Sequence, residues 1–173
     1  VEKMVKPTDV LYYQKTFNFK RTNHRVLLHF GAVDYKCTVT LNNSVVGEHK
    51  GGYLPFTFDV TTLILDGEND LRLTVTDPTT EGHQARGKQT FKRGGIWYTP
   101  QSGIWQTVWL EEVCEGYIES IKLTPDIDAD ELRIEVNYNG KSTDEMAAIA
   151  LDNGEVMAGI KLVDGKGVIK LTD

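Results

Sequence analysis

Val33-Asp34-Tyr35-Lys36-Cys37-Thr38-Val39-Thr40-Leu41-Asn42-Asn43-Ser44-Val45-Val46-Gly47 carries the period from which the fold class follows. Val33, Tyr35, Cys37, Val39 and Leu41 alternate with Asp34, Lys36, Thr38 and Thr40, the pattern of a strand with one buried face. Asn42-Asn43-Ser44 tolerates positive φ, and Val45-Val46-Gly47 starts the return, so the segment predicts a hairpin. The same period continues outward. Phe56, Phe58 and Val60 alternate after Gly51-Gly52 and Pro55. Thr61 or Thr62 is placed to cap a single helical turn through Leu63 to Leu65, ended by Asp66-Gly67. Leu71, Leu73 and Val75 predict another strand, closed at Asp77-Pro78 because a residue before proline is pushed out of the helical region. From Gly103 to Glu111, Ile104, Gln106, Val108 and Leu110 oppose Trp105, Thr107 and Trp109. Two largely apolar faces predict a central strand covered on both sides. Short strands with almost no helical spacing predict an all-β sandwich.

Composition narrows the function classes. The 173 residues hold 19 Lys+Arg against 25 Asp+Glu, a net charge of -6, which argues against nucleic acid as a partner because its binders present a basic face. With 40% hydrophobic and 25% charged residues the chain has the makings of a core and is not of the disordered class. No apolar run approaches the ~20 residues of a membrane helix, so no membrane partner is expected. The opening Val1-Glu2-Lys3-Met4-Val5-Lys6-Pro7 lacks the apolar core of a signal peptide, and its lack of an initial Met suggests a piece of something longer. Cys37 and Cys114 are too few for a disulfide framework and are expected as free thiols. His24, His29, His49 and His83 share no ligand spacing, so neither metal nor cofactor is expected.

Two further features organise the chain. Between Asp77 and Ile96 lie about 20 residues without periodicity, longer than connections usually run inside compact domains, which marks a functional or disordered loop. Composition then shifts near Cys114-Glu115-Gly116. Beyond it, Ile118 to Leu123, Leu132 to Tyr138, Ala147 to Leu151, Val156 to Val163 and Val168 to Leu171 predict five strands, with turns at Asn139-Gly140, Asn153-Gly154 and Asp164-Gly165. We therefore expect domains at residues 1–114 and 115–173, the second short of a full immunoglobulin-like sandwich. The acidic run Asp126-Ile127-Asp128-Ala129-Asp130-Glu131 opens like a calcium loop. Glu131 stands where that loop demands glycine, however, and Asn137 where it demands glutamate, so a solvated turn is expected.

Five motifs then carry a resemblance. Arg25 to Tyr35, Leu41 to Gly47, Gly51-Gly52-Tyr53-Leu54-Pro55-Phe56-Thr57-Phe58-Asp59-Val60-Thr61, Gly67-Glu68-Asn69-Asp70-Leu71, and Gly95 to Glu111 stand in the order seen in glycoside hydrolase family 2. Residues 25–111 resemble that family's amino-terminal jelly-roll, a galactose-binding-domain-like β-sandwich, and residues 117–173 resemble the start of the immunoglobulin-like domain that follows. The resemblance implies a parent that hydrolyses β-glycosides with two Glu residues on a downstream (β/α)₈ barrel, the carboxyls ~5–5.5 Å apart. The family's acid/base lies in an Asn-Glu dipeptide, and this sequence contains none. No catalytic residue is therefore assigned, and the implied partners are a carbohydrate, met through the parent enzyme, and the missing carboxy-terminal catalytic barrel. Members usually carry further residues before the strand from Tyr12 to Phe19, so an exposed sheet edge is expected here.

The aperiodic loop supplies the candidate site. Arg86, Lys88, Gln89, Trp97 and Tyr98 combine hydrogen-bonding groups with flat rings, which suits a sugar's hydroxyls and its apolar C–H face. The same aromatics also suit packing against the catalytic domain. Trp105 and Trp109 fall on one strand face and are expected to pack within the sheets rather than to stack on sugar.

Overall fold

The computed structural model describes residues 4–140 and 146–170 and divides into two compact units, Val1–Glu112 and Val113–Asp173. Leu171, the expected end of the last strand, and residues 1–3 of the opening segment lie outside the described residues. Every regular element among those described is a strand.

The first unit contains β1 (Leu11–Phe19), β2 (Arg25–Phe30), β3 (Val33–Asp34), β4 (Lys36–Leu41), β5 (Ser44–Lys50), β6 (Phe56–Asp59), β7 (Gly67–Thr76), β8 (Gly103–Ile104) and β9 (Val108–Val113). One sheet runs in the order β1-β7-β4-β5 and the other β6-β2-β9, with β3 and β8 forming a separate pair. Between the two larger sheets lie Val26, Leu28 and Phe30 of β2, Cys37, Val39 and Leu41 of β4, and Leu71, Leu73 and Val75 of β7, none more than 9% exposed. Each such aliphatic or aromatic side chain contributes roughly 1.5–3 kcal/mol through burial. Phe56 stacks on Phe30 with centroids 4.8 Å apart, and Phe58 meets the same ring edge-on at 6.5 Å. A Cβ on Gly47 would overlap the Phe58 ring, so glycine lets β5 close over the core.

The expected strand from Val33 to Leu41 is divided. β3 pairs with β8, whereas β4 pairs with β5 and β7. The alternation survives the break except at Tyr35, which is only partly buried and lies beneath the Lys50 ammonium at 5.9 Å. The hairpin forms as expected: Leu41 pairs with Ser44, and Asn42 and Asn43 take φ of 51° and 65°. Positive φ at both positions is the type I′ geometry that matches strand twist.

A single turn follows β6, where the Val60 carbonyl accepts from Leu63 N and Ile64 N, both at 2.9 Å. Thr61 does not cap it. Its hydroxyl donates to Asp59 Oδ1 at 2.5 Å and accepts from Val26 N at 2.9 Å, tying β6 to β2 instead. Asn69, 1% exposed, closes the same corner. Its Oδ1 accepts from Asn42 Nδ2 and Leu65 N, both at 2.8 Å, while its Nδ2 donates to the carbonyls of Leu65 and Gly67 at 3.0 Å.

The segment from Gly103 to Glu111 is also divided, into β8 and β9. β9 is not central: it ends its sheet, as β1 ends the other. A cavity of about 360 Å³ opens between these edges, lined by Tyr13, Phe17, Leu28, Leu73, Val108 and Leu110. Lys15, opposite Leu71 on β1, puts a charge at this open end, a common guard on sheet edges.

The second unit contains β10 (Tyr117–Asp126), β11 (Glu131–Asn139), β12 (Met146–Asp152), β13 (Glu155–Leu162) and β14 (Lys166–Lys170). One sheet runs β10-β11-β14 and the other is the hairpin β12-β13. Met146, Ala148, Ala150, Ala158 and Ile160 pack onto Ile134, Leu162 and Ile169. A Cβ on Gly167 would strike Ile160 and Leu162, so a glycine there seats the hairpin. Register places Ile121 opposite Val136 and Leu123 opposite Ile134. Both therefore share the core-facing side, yet both stay more than half exposed because the hairpin does not reach over β10. Asn153-Gly154 and Asp164-Gly165 form two-residue turns with positive φ throughout. The acidic run is the loop between β10 and β11, where Asp126 accepts from Ala129 N at 3.2 Å and from Arg133 at 3.0 Å.

Candidate functional site

The segment after β7 lacks sequence period but is organised by backbone bonds. Thr90 N donates to the Tyr98 carbonyl at 3.0 Å, and Tyr98 N donates to the Lys88 carbonyl at 2.8 Å. Gly94 and Trp97 exchange bonds at 3.2 and 3.1 Å around Gly95-Ile96, where Gly95 takes φ of 59°. The result is a short ribbon with Ile96, Trp97 and Tyr98 exposed at its turn. Asp77 anchors the base of the loop: its Oδ1 accepts from Thr79 N at 2.6 Å and its Oδ2 from the Ser102 hydroxyl at 2.5 Å.

The five residues chosen from sequence are thus distributed unevenly. Lys88 and Gln89 lie alongside Trp97 and Tyr98, with Gln89 and Tyr98 joined in a parallel bridge. Gln89 also spends its Oε1 on Gln101 N at 2.5 Å, joining the ribbon to the strand that follows. Arg86 lies before the ribbon, and its guanidinium donates to the Thr80 carbonyl at 2.5 Å, an internal brace of the loop. Lys88, Trp97 and Tyr98 remain exposed.

A second group of aromatics assembles where the sequence reading placed sheet packing. Trp105 and Trp109 are 47% and 43% exposed, which corrects the expectation that they pack within the sheets. Val108 and Leu110 take the core side of β9 and leave Trp109 on its outer face, while Trp105 lies in the short link between β8 and β9. Both rings are held. Trp109 stacks on His29 with centroids 4.8 Å apart and 13° between planes. His29 Nδ1 meets Thr57 Oγ1 at 2.8 Å, and Glu111 Oε2 stands 3.0 Å from Nε2, outside hydrogen-bond alignment. The Trp105 indole N–H donates to the Gly52 carbonyl at 2.7 Å, and Tyr53, 44% exposed, meets the Trp105 ring edge-on at 6.1 Å. The three rings border a cleft of about 730 Å³, with Pro55, Gln106 and Thr107 along its walls. Tyr53 was missed from sequence because its partner ring lies 52 positions away in a loop after a glycine pair.

Asp34 stands beside this region. Gly52 presses against its carboxyl so closely that a Cβ there would lie 2.5 Å from Asp34 Oδ1. Burial, with the nearby Asp77 charge adding to it, pushes the Asp34 carboxyl up to about 6.

Comparison with known proteins follows the same outline. A family described as the glycosyl hydrolase 2 galactose-binding domain-like domain matches residues 4–107. A beta-galactosidase of Thermoanaerobacter pseudethanolicus is 28% identical over 172 residues, covering 92% of this chain and 20% of its own length. A putative beta-glucuronidase of Formosa agariphila is 26% identical over 163 residues, covering 91% of this chain and 18% of its own length. The chain thus spans about a fifth of the length of these curated relatives. Among solved structures, a beta-glucuronidase from an uncultured Clostridium species is similar with a TM-score of 0.73 at 26% identity, over 95% of this chain and 30% of that one.

Proposed function

The chain belongs to the glycosyl hydrolase 2 family through the galactose-binding domain-like domain of residues 4–107, and from that membership we propose that it is the non-catalytic amino-terminal part of a β-glycosidase. In this reading its domains are residues 1–114 and 115–173. The first supports a (β/α)₈ barrel that carries the two carboxylates of a retaining mechanism. The observation that carries the reading is one of sequence: five family motifs stand in order over residues 25–111, and no Asn-Glu dipeptide occurs among the 173 residues. The relatives, about five times as long, leave ample chain for a barrel, which supports it further.

The exposed ribbon has a role in this scheme. Trp97 and Tyr98 offer flat, well-braced area of the kind that packs against a neighbouring domain. Lys88, exposed nearby, offers a hydrogen-bonding group to a β-glycoside held by the barrel, while Arg86 and Gln89 brace the loop that presents it. Hydrolysis tests the proposal. The purified chain, given nitrophenyl β-galactoside, β-glucuronide and β-mannoside, is expected to release no nitrophenol above a protein-free control. Protein-dependent turnover would overturn it, and saturable binding of a free sugar that is lost in Trp97→Ala would favour a stand-alone carbohydrate-binding module instead.

A further inference from the structure

The cleft bordered by Tyr53, Trp105 and Trp109 has three properties that together specify a ligand. Its rings are fixed before anything binds. Trp109 is backed by His29, and Trp105 is tethered at its indole nitrogen and flanked by Tyr53. Because the Trp105 N–H is already engaged, what that ring presents to the cleft is carbon. Placing a flat partner on rings already held loses little side-chain freedom, which is where binding otherwise forfeits most of its gain.

The second property is the alternation of ring and hydrogen-bonding group. Gln106 and Thr107, both exposed, lie between the two tryptophans in sequence and line the same cleft. Gln106 lies across Gly31, where a Cβ would fall 2.7 Å from its own Cβ, so the missing side chain at Gly31 gives that residue its place. An amide and a hydroxyl supply both donors and acceptors. A pyranose matches this arrangement, with apolar C–H faces above and below and a belt of hydroxyls around the rim. The volume, about 730 Å³, falls within the range of small-molecule sites.

The third property is charge. None of the residues lining the cleft is Lys, Arg, Asp or Glu. A uronate carboxylate would find no cation among these lining residues; Arg86 and Lys88 flank Gly87, which approaches the Tyr53 hydroxyl, but neither lines the cleft.

We propose that this cleft is a carbohydrate subsite for neutral β-linked pyranose units, with Trp105 and Trp109 as stacking surfaces and Gln106 as a hydroxyl partner. The glycosidase reading enters only in the choice of β-linked sugars as the ligand class. The test follows intrinsic tryptophan fluorescence of the 173-residue chain during titration with cellotriose and mannotriose, with glucuronate as the charged comparison. The neutral trisaccharides are expected to give a saturable change and glucuronate a far weaker one. Affinity should fall about tenfold in Trp109→Ala, measured by calorimetry, and severalfold in Gln106→Ala, while Ile127→Ala, at an exposed position outside the cleft, leaves it unchanged. Gln106 is exposed and outside the core, so that variant keeps the fold intact and the test decisive. Absence of a saturable response, an unchanged affinity in both Trp109→Ala and Gln106→Ala, stronger binding of glucuronate, or loss of binding confined to Trp97→Ala would each overturn the subsite. Of those results only loss of binding confined to Trp97→Ala also bears on the glycosidase reading; the others leave it untouched, and turnover of substrate by the chain itself would overturn that reading alone.

Discussion

Asp34 couples the fold to pH in a direction that its surroundings determine. Its carboxyl moves from an ordinary 3.8 up to about 6 because burial and the neighbouring Asp77 both disfavour the charged form. A carboxyl raised on folding adds stability while it is protonated. The contribution is complete below about pH 4 and is lost as pH climbs through about 6. Asp34→Asn mimics the protonated form, so its melting temperature should exceed that of the parent chain at pH 7.5 and lack the parent's decline between pH 4 and 7. Equal pH profiles for the two proteins would contradict this. The two thiols separate by the same logic of burial. Cys37 is buried and pushed up to about 11, chiefly by desolvation, whereas Cys114 is exposed. A thiol reagent at pH 8 should label one cysteine in the native chain and both after unfolding, and rapid native labelling of Cys37 would refute that account. Cys37 was legible as an inward residue from its alternating neighbours. The state of Asp34 was not, since it depends on Gly52 and Asp77, both far along the chain.

At the level of elements, period and turn chemistry carried most of the information. β4 and β5 followed from alternation and from Asn42-Asn43, and the later strands of the second unit were set apart by Asn-Gly and Asp-Gly turns. Sequence reading failed where an element is broken by partners elsewhere. The tract from Val33 to Leu41 is one period but two strands, because its first two residues pair with β8 and the rest with β7. The segment from Gly103 to Glu111 looked central since both faces are apolar, yet Trp105 and Trp109 border a cleft, and an aromatic face can serve ligand or core alike. The corner that joins β4, β6 and β7 depends on Asn69, whose amide makes four hydrogen bonds out of reach of water. Asn69→Ala would remove one of the bonds of the Asn42 amide and the side-chain partners of the Leu65 and Gly67 backbone. Its stability should fall by about 2–4 kcal/mol in urea unfolding, and a loss below about 0.5 kcal/mol would show that the corner does not depend on this amide.

Across the whole molecule the two units differ in how much they bury. In the first, β2, β4 and β7 each supply three core residues at 9% exposure or less, whereas among the described residues of the second only Ile134, Leu162 and Ile169 are buried hydrophobics. Amide exchange should therefore be slowest in β2, β4 and β7 and fastest in β12 and β13, with mass spectrometry resolving the two groups. Uniform protection across both units would contradict it.

The open flank of β10 has a colloidal consequence. Ile121 and Leu123 make that flank adhesive between molecules, and the mutual repulsion implied by a net charge of -6 holds copies apart. Sodium chloride shortens the range of that repulsion to about 8 Å at 0.15 M. Concentrated samples should consequently stay monodisperse in dilute buffer and scatter more light as salt is added, and replacing both residues with threonine should postpone the onset.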